Sequence, residues 1–151
     1  MNPEHQVAIK PVIQYPHKAH VGQAYLMIVD LQMTTNYKEW PYEDEEYPVW
    51  FILDTMPLFS HRSLGEPLVV LHRFGGTYGP AQFLLTAVKT PKKGKIRITL
   101  VNLWGKPIMY IPLECEIETD GVSVSKRQQS SIQKRYPSNV LSTKDLNTAI
   151  N

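Results

Sequence analysis

Alternation of apolar and polar residues is clearest in the second half of the chain. In KIRITLVNL (95–103), Ile96, Ile98 and Leu100 fall on one side, and Arg97 and Thr99 on the other. In PIMYIPLECEIE (107–118), Ile111, Leu113, Cys115 and Ile117 oppose Glu114, Glu116 and Glu118. A period of two is that of a half-buried strand, because successive side chains point to opposite faces. Pro112 lies inside the second run and cannot donate to a ladder, which predicts an edge position or a bulge. AYLMIVDL (24–31) and YPVWFILDT (47–55) are short and nearly continuously apolar, the pattern of strands buried on both faces. PLVVLHRF (67–74) and AQFLLTAV (81–88) add two more strands, and VAIKPVIQY (7–15) a peripheral seventh marked by Pro11.

Turn chemistry joins these runs. Thr90-Pro91-Lys92-Lys93-Gly94 offers proline early and a glycine for a left-handed position, and Trp104-Gly105-Lys106-Pro107 is a second tight turn. Residues 67–118 then read as a four-stranded antiparallel meander. With the earlier runs, about seven strands predict an all-β fold, an immunoglobulin-like antiparallel sandwich spanning residues 1–125. No internal repeat is present. QMTTNYKEWPYEDEE (32–46) is a long polar and aromatic connection, of the kind that often carries function. From Lys126 to Asn151 the chain is polar and interrupted by Pro137, a predicted flexible tail with one candidate short helix at 143–150.

Composition narrows the picture without changing it. A length of 151 residues fits one domain able to bury its own core. Twelve prolines against eight glycines tilt the balance from helix toward strands and turns. A net charge of +2 is too small to make nucleic acid or an anionic membrane the expected partner. Cys115 is the only cysteine, so no intrachain disulfide and no multi-cysteine zinc site can form, and a reducing, cytoplasmic setting is expected. The first twenty residues have no apolar stretch of signal-peptide length, and no run reaches the length that spans a bilayer.

Candidate chemistry begins with LHRFGGTYGPAQFLL (71–85). A phosphate cradle needs converging N–H groups at a helix N-terminus. Here Gly79 is followed by Pro80, which has no N–H, and then by a strand pattern; neither the Walker spacing nor GxGxxG is met. A hairpin loop is the better reading, with Gly75 and Gly76 supplying positive φ. His72, Arg73 and Tyr78 on its flanks are candidate contacts for a partner.

Other groups are weaker. His17 and His20 form an HxxH pair, and a metal would need further ligands such as His61 or His72. Glu43, Asp44, Glu45 and Glu46 lack calcium-loop spacing and read as a solvated acidic run. Asp30, Asp54, Glu114 and Glu116 lie on or near strands with no spacing that pairs them for acid–base work. Cys115 shares a face with Leu113 and Ile117, which predicts a buried, inert thiol. Ser60-His61 are adjacent, but strand neighbours point apart and no GxSxG elbow is present. No enzyme signature survives, and no cofactor or metal is expected. Tyr37, Trp40, Tyr42 and Tyr47 cluster around the acidic run. They either cover one open end of the core or, with Glu43 and Asp44, form a surface for a protein or a glycan.

Four strings together resemble an uncharacterised β-sandwich module of large multidomain bacterial proteins: YPHKAHVGQAYLMIVDLQ, EEYPVWFILD, GEPLVVLHRFGGTYGPAQFLLTA and KIRITLVNLWGKPI. The resemblance covers about residues 8–118 and excludes the tail. In that setting the module looks like an accessory to STAND-type NTPases, TIR domains and caspase-like or trypsin-like proteases. It implies a non-enzymatic adaptor in a signalling or defence assembly, with a protein partner of that kind. No catalytic residue is carried over. The chain departs from the pattern by carrying no NTPase or effector part, which fits either a free adaptor or a piece of a larger protein. Two alternatives remain: a carbohydrate-binding sandwich built on the aromatic cluster of Tyr37, Trp40, Tyr42 and Tyr47, or a metal-dependent enzyme built on His17, His20 and His72.

Overall fold

The computed structural model describes residues 9–33, 40, 43–119 and, as backbone, 133–135. In chain order the strands are β1 (Ile9–Pro16), β2 (Lys18–His20), β3 (Ala24–Met33), β4 (Glu46–Asp54), β5 (Phe59–Leu64), β6 (Leu68–His72), β7 (Ala81–Ala87), β8 (Lys92–Val101), β9 (Pro107–Glu118) and β10 (Gln133–Arg135). They form two five-stranded sheets, ordered β10-β1-β3-β7-β5 and β2-β9-β8-β4-β6. The chain is all-β among the described residues, and no helix there is long and apolar enough to cross a membrane.

All seven sequence-predicted strands are present, and ten strands in two sheets occur among the described residues. The second sheet curls into a half-barrel. The pairing is not purely antiparallel either, because β2 runs parallel to the end of β9. β10 comes from the segment read as a tail, and it pairs with β1 at Gln14, Tyr15 and Pro16. The candidate helix at 143–150 lies outside the described residues.

The predicted four-stranded meander does not form. β6 pairs with β4 in the second sheet, β7 sits between β3 and β5 in the first, and only β8 and β9 remain a hairpin. Alternation fixes which face of a strand is buried, but a sandwich has two sheets whose inner faces look alike to that pattern. The connections at 73–80 and 88–91 therefore cross from one sheet to the other. Gly94 is likewise not a left-handed turn residue. It lies within β8 opposite Cys115, and a Cβ there would come within 3.5 Å of Leu58.

Burial follows the period of two. β3 buries Tyr25, Met27, Val29 and Leu31 and leaves the residues between them half-buried, so its apolar run is covered on one face rather than both. From the second sheet, Tyr47, Val49 and Phe51 meet them with Ile96, Ile98 and Leu100 of β8 and Ile111, Leu113, Cys115 and Ile117 of β9. Cys115 is buried, as its strand face predicts. Pro112 stands opposite Arg97 in regular register on the half of β9 that has no outer strand partner among the described residues. That is an edge position rather than a bulge, and it spares the ladder a missing donor.

Candidate functional site

The 71–80 segment leaves β6 and doubles back at once. The Gly75 N–H donates to the His72 carbonyl at 2.9 Å, and Leu71 and Thr77 form an isolated antiparallel bridge. Gly75 and Gly76 take φ of 98° and 73°, a region that other residues enter at a cost. The expected hairpin is thus a small local turn, after which the chain crosses to β7. Its far side is anchored on the other sheet: the Thr77 hydroxyl donates to Asp30 Oδ1 at 3.0 Å, and the Leu31 N–H donates to the same oxygen at 2.9 Å.

Three aromatic rings ride on this turn. His72 lies 5.4 Å from Phe74 and 5.6 Å from Tyr78, centroid to centroid, and Phe74 N–H donates to His72 Nδ1 at 3.2 Å. The Arg73 guanidinium sits 5.8 Å from the Phe74 ring centre, a cation–π distance. Phe74 is 60% exposed and Tyr78 64%. Arg73 Nε is buried without a hydrogen-bond partner, an unmet donor at the root of the turn.

Strand pairing brings the acidic run to the same place. Glu46 stands opposite His72 in the β4–β6 register, and Arg73 N–H donates to the Glu45 carbonyl at 2.8 Å. The Tyr78 phenol is held above its ordinary pKa, chiefly because it donates to the Glu46 carboxylate, and further by partial desolvation and the charges of Glu46 and Glu45. Glu43 and Asp44 are exposed beside them. His72, Arg73, Tyr78, Glu43 and Asp44 therefore share one surface, although the sequence presents them as two separate loops. Trp40 is placed differently. Its indole is 8% exposed, packs into the core, and donates from Nε1 to the Asp44 carbonyl at 2.8 Å. It covers the core and tethers the acidic run from beneath. Tyr37 and Tyr42 lie outside the described residues.

Two contributors were not legible as site residues. In the sequence pattern Phe74 reads only as the end of a strand. Trp104 was counted only as part of a turn, yet it is 47% exposed and its ring lies 6.2 Å from Tyr47, the residue after Glu46. A buried side chain closes the turn that carries it. Asn102 is fully buried, and its Oδ1 accepts the N–H groups of Trp104 and Lys106, each at 3.0 Å. Burial raises the Tyr47 phenol pKa, and its hydrogen bond with the Leu103 backbone opposes that rise. Seen along β4, the loops at 43–46, 72–80 and 102–106 all gather where this strand begins.

The remaining candidates do not assemble. No three His, Cys, Asp or Glu side chains come together to hold a metal among the described residues, and His17, His20 and His72 are apart. His61 Nδ1 is 2.8 Å from the buried Thr55 hydroxyl. Asp54 pairs with Arg97 at 3.6 Å, and Glu116 with Lys93 at 3.9 Å. A groove of about 350 Å³ is lined by residues including His17, Glu114, Cys115 and Glu116, but the Cys115 side chain lies in the core, and burial pushes its thiol pKa up to about 12, against a smaller opposing hydrogen bond from the Ile96 backbone. A thiol so placed is protonated at neutral pH and is not a nucleophile.

No family model matches this sequence, and no curated protein matches it.

Proposed function

We propose that this chain is a non-enzymatic protein-interaction module, adaptor or regulatory in role, that binds a protein partner through the surface where β4 begins. The observation that carries this reading is the exposed Phe74–His72–Tyr78 cluster with Arg73 over Phe74, held in place by bonds to Glu45, Glu46 and Asp30. Aromatic residues and arginine dominate binding energy at interfaces, and rings fixed before binding lose little entropy on it. Exposed carboxylates at Glu43 and Asp44 supply the polar rim and favour a basic patch on the partner.

The scaffold supports the same reading as an elaborated immunoglobulin-like sandwich. The order β1-β3-β7-β5 over β9-β8-β4-β6 corresponds in space to the A-B-E-D and G-F-C-C′ strands of that architecture, with β5 and β6 exchanged in chain order. Such sandwiches present loops from one end as recognition surfaces. The resemblance to accessory modules of bacterial signalling and defence proteins makes an NTPase, a protease or a TIR-type effector the partner class to seek.

The test is a pull-down from native lysate with the intact protein, repeated with Phe74→Ala and Tyr78→Ala combined. Recovery of one such partner by the parent, and its loss by the folded double variant, is the expected result. Equal recovery by both overturns this surface. The glycan alternative rests on the aromatic cluster, of which the Trp40 ring lies in the core; a glycan array on the parent and on Trp104→Ala addresses that alternative through the exposed indole.

A further inference from the structure

We infer that β5 is a strand-addition site for a second ligand: an extended peptide segment that alternates apolar and acidic side chains. This site is separate from the loop surface described above and does not rest on it.

The argument starts from the edges of the two sheets. Exposed strand edges invite pairing with other chains, and proteins block them. β9 carries Pro107 and Pro112 on its free half. β1 carries Pro11 and Pro16 and is paired by β10 at its end. β6 is backed by the Leu71–Thr77 bridge, and β2 is only three residues long. β5, sequence FSHRSL, has no proline, and its six residues pair with β7 without a register shift. Every residue of β5 after Phe59 is exposed.

Hydrogen bonding shows which of its backbone groups are open. Val88 N–H donates to the Leu58 carbonyl at 3.0 Å, which fixes the bonding phase of this antiparallel pair. Ser60, Arg62 and Leu64 therefore direct their N–H and C=O toward β7, and Phe59, His61 and Ser63 direct theirs outward. Phe59 confirms the phase, because its N–H donates to the Thr55 carbonyl and its carbonyl accepts from the Thr55 hydroxyl. The N–H and C=O of His61 and Ser63 have no partner among the described residues. They are four ladder positions for an added strand.

The neighbourhood fixes the chemistry of that strand. Between β5 and β4 lies a crevice of about 290 Å³ whose apolar wall includes Phe51, Leu53, Pro67 and Phe83, with His61, Arg62 and Ser63 of β5 also lining it. It exists because β6 stops opposite Trp50, leaving Ile52 to Asp54 unpaired on that side. One face of an added strand drops alternate side chains into this wall, where apolar groups are favoured. The other face lies beside Ser60 and Arg62, in a recess also lined by Leu84 and Thr86. No carboxylate lines either space, and Arg62 has no ion-pair partner among the described residues. That face calls for acidic side chains. A second copy of the chain is disfavoured as occupant: antiparallel β5 against β5 centred on the two open residues sets Arg62 opposite Arg62, and like charges directly opposite repel.

The experiment titrates the intact protein with a capped octapeptide of alternating valine and glutamate, followed by amide chemical shifts, with the valine–lysine counterpart as control. The expected result is saturable binding of the glutamate peptide, shifts confined to 59–64 and 51–53, and at least tenfold weaker binding of the lysine peptide. Ser63→Pro removes an open N–H and should weaken binding at least tenfold. Should that variant fail to fold, a peptide N-methylated at alternate residues tests the same ladder against the unaltered protein. Arg62→Glu should reverse the charge preference. Phe74→Ala with Tyr78→Ala should leave this binding unchanged, which separates this site from the loop surface. Absence of shifts at millimolar peptide, equal binding of both peptides, or a Ser63→Pro-sensitive dimer in place of peptide binding each overturns the inference.

Discussion

At the end of the second sheet where β4 begins, Phe74, Tyr78 and Trp104 stand in solvent while the backbone beneath them is tied to Glu45, Asp30 and Asn102. At the opposite end, where β8 begins, a groove is lined by Cys115, His17, Lys93 and Glu116. The thiol is buried, and Lys93 and Glu116 are paired across the strands. The first end leaves three aromatic rings accessible above a hydrogen-bonded backbone. The second buries its one thiol. The two ends differ in which groups the fold leaves accessible, not in whether they contain chemically capable residue types.

Trp40 is the sharpest place to break this contrast, because it belongs to the recognition end by sequence and to the core by structure. Trp40→Ala removes a buried indole and its bond to the Asp44 carbonyl. Loss of a large buried aromatic typically costs about 3–5 kcal/mol, and urea unfolding should show a destabilisation of that order. Unchanged stability would mean that the ring belongs to the exposed surface after all.

The thiol end gives the next effect. The Cys115 pKa is raised in the folded state from 9.0 to about 12. A raised pKa means that the folded protein holds the proton more tightly than the unfolded chain. The associated stability is complete below pH 9 and declines as pH rises toward 12. Titration with a thiol reagent at pH 8 should therefore label native protein slowly and unfolded protein quickly. Cys115→Ser, which buries a hydroxyl among Leu113 and Ile117, should cost about 1–3 kcal/mol. Rapid native labelling would place a usable nucleophile where the groove now reads as inert.

Much of this was written in the local pattern. The alternation at Ile96, Ile98 and Leu100, and again from Ile111 to Ile117, locates two strands and their buried faces because side-chain direction is a local property. β5 escaped because Phe59 is its only buried residue; an edge strand whose inner positions are histidine and serine has no hydrophobic period to read. Sheet membership escaped for a different reason. Nothing in PLVVLHRF or AQFLLTAV distinguishes the inner face of one sheet from that of the other, so the crossing at 73–80 looked like a hairpin. The candidate site was half legible. Glycines marked the loop that carries His72, Arg73 and Tyr78, but the union with Glu45 and Glu46 is set by the β4–β6 register, a long-range fact. An indole fits both a core and a binding face, so the pattern alone left Trp40 with two readings.

The anchor of the recognition end is smaller but diagnostic. Asp30 Oδ1 accepts from Thr77 and from Leu31 N–H. Thr77→Val keeps the shape and removes the donor, and should cost about 1 kcal/mol, the usual net value of one hydrogen bond. Its larger consequence is local: amide exchange at 73–79 should accelerate while the β8–β9 turn is unaffected. Uniform acceleration at both turns would mean that Asp30 does not hold the loop.

The smallest effect sharpens the comparison from the other side. Lys93 and Glu116 are 3.9 Å apart, and the lysine side chain is 80% exposed. Exposed pairs of this kind gain little, since water screens the attraction and two long side chains lose freedom. Lys93→Ala should change stability by less than about 0.5 kcal/mol at moderate salt, and adding 1 M sodium chloride should remove most of what there is. The double variant with Glu116→Ala should then equal the sum of the singles within error. A coupling well above that range would mean that the ion pair is shielded from solvent. In that case the groove at Cys115 would be drier than its exposure indicates, and the quiet end of the sheet would have to be treated as a built site.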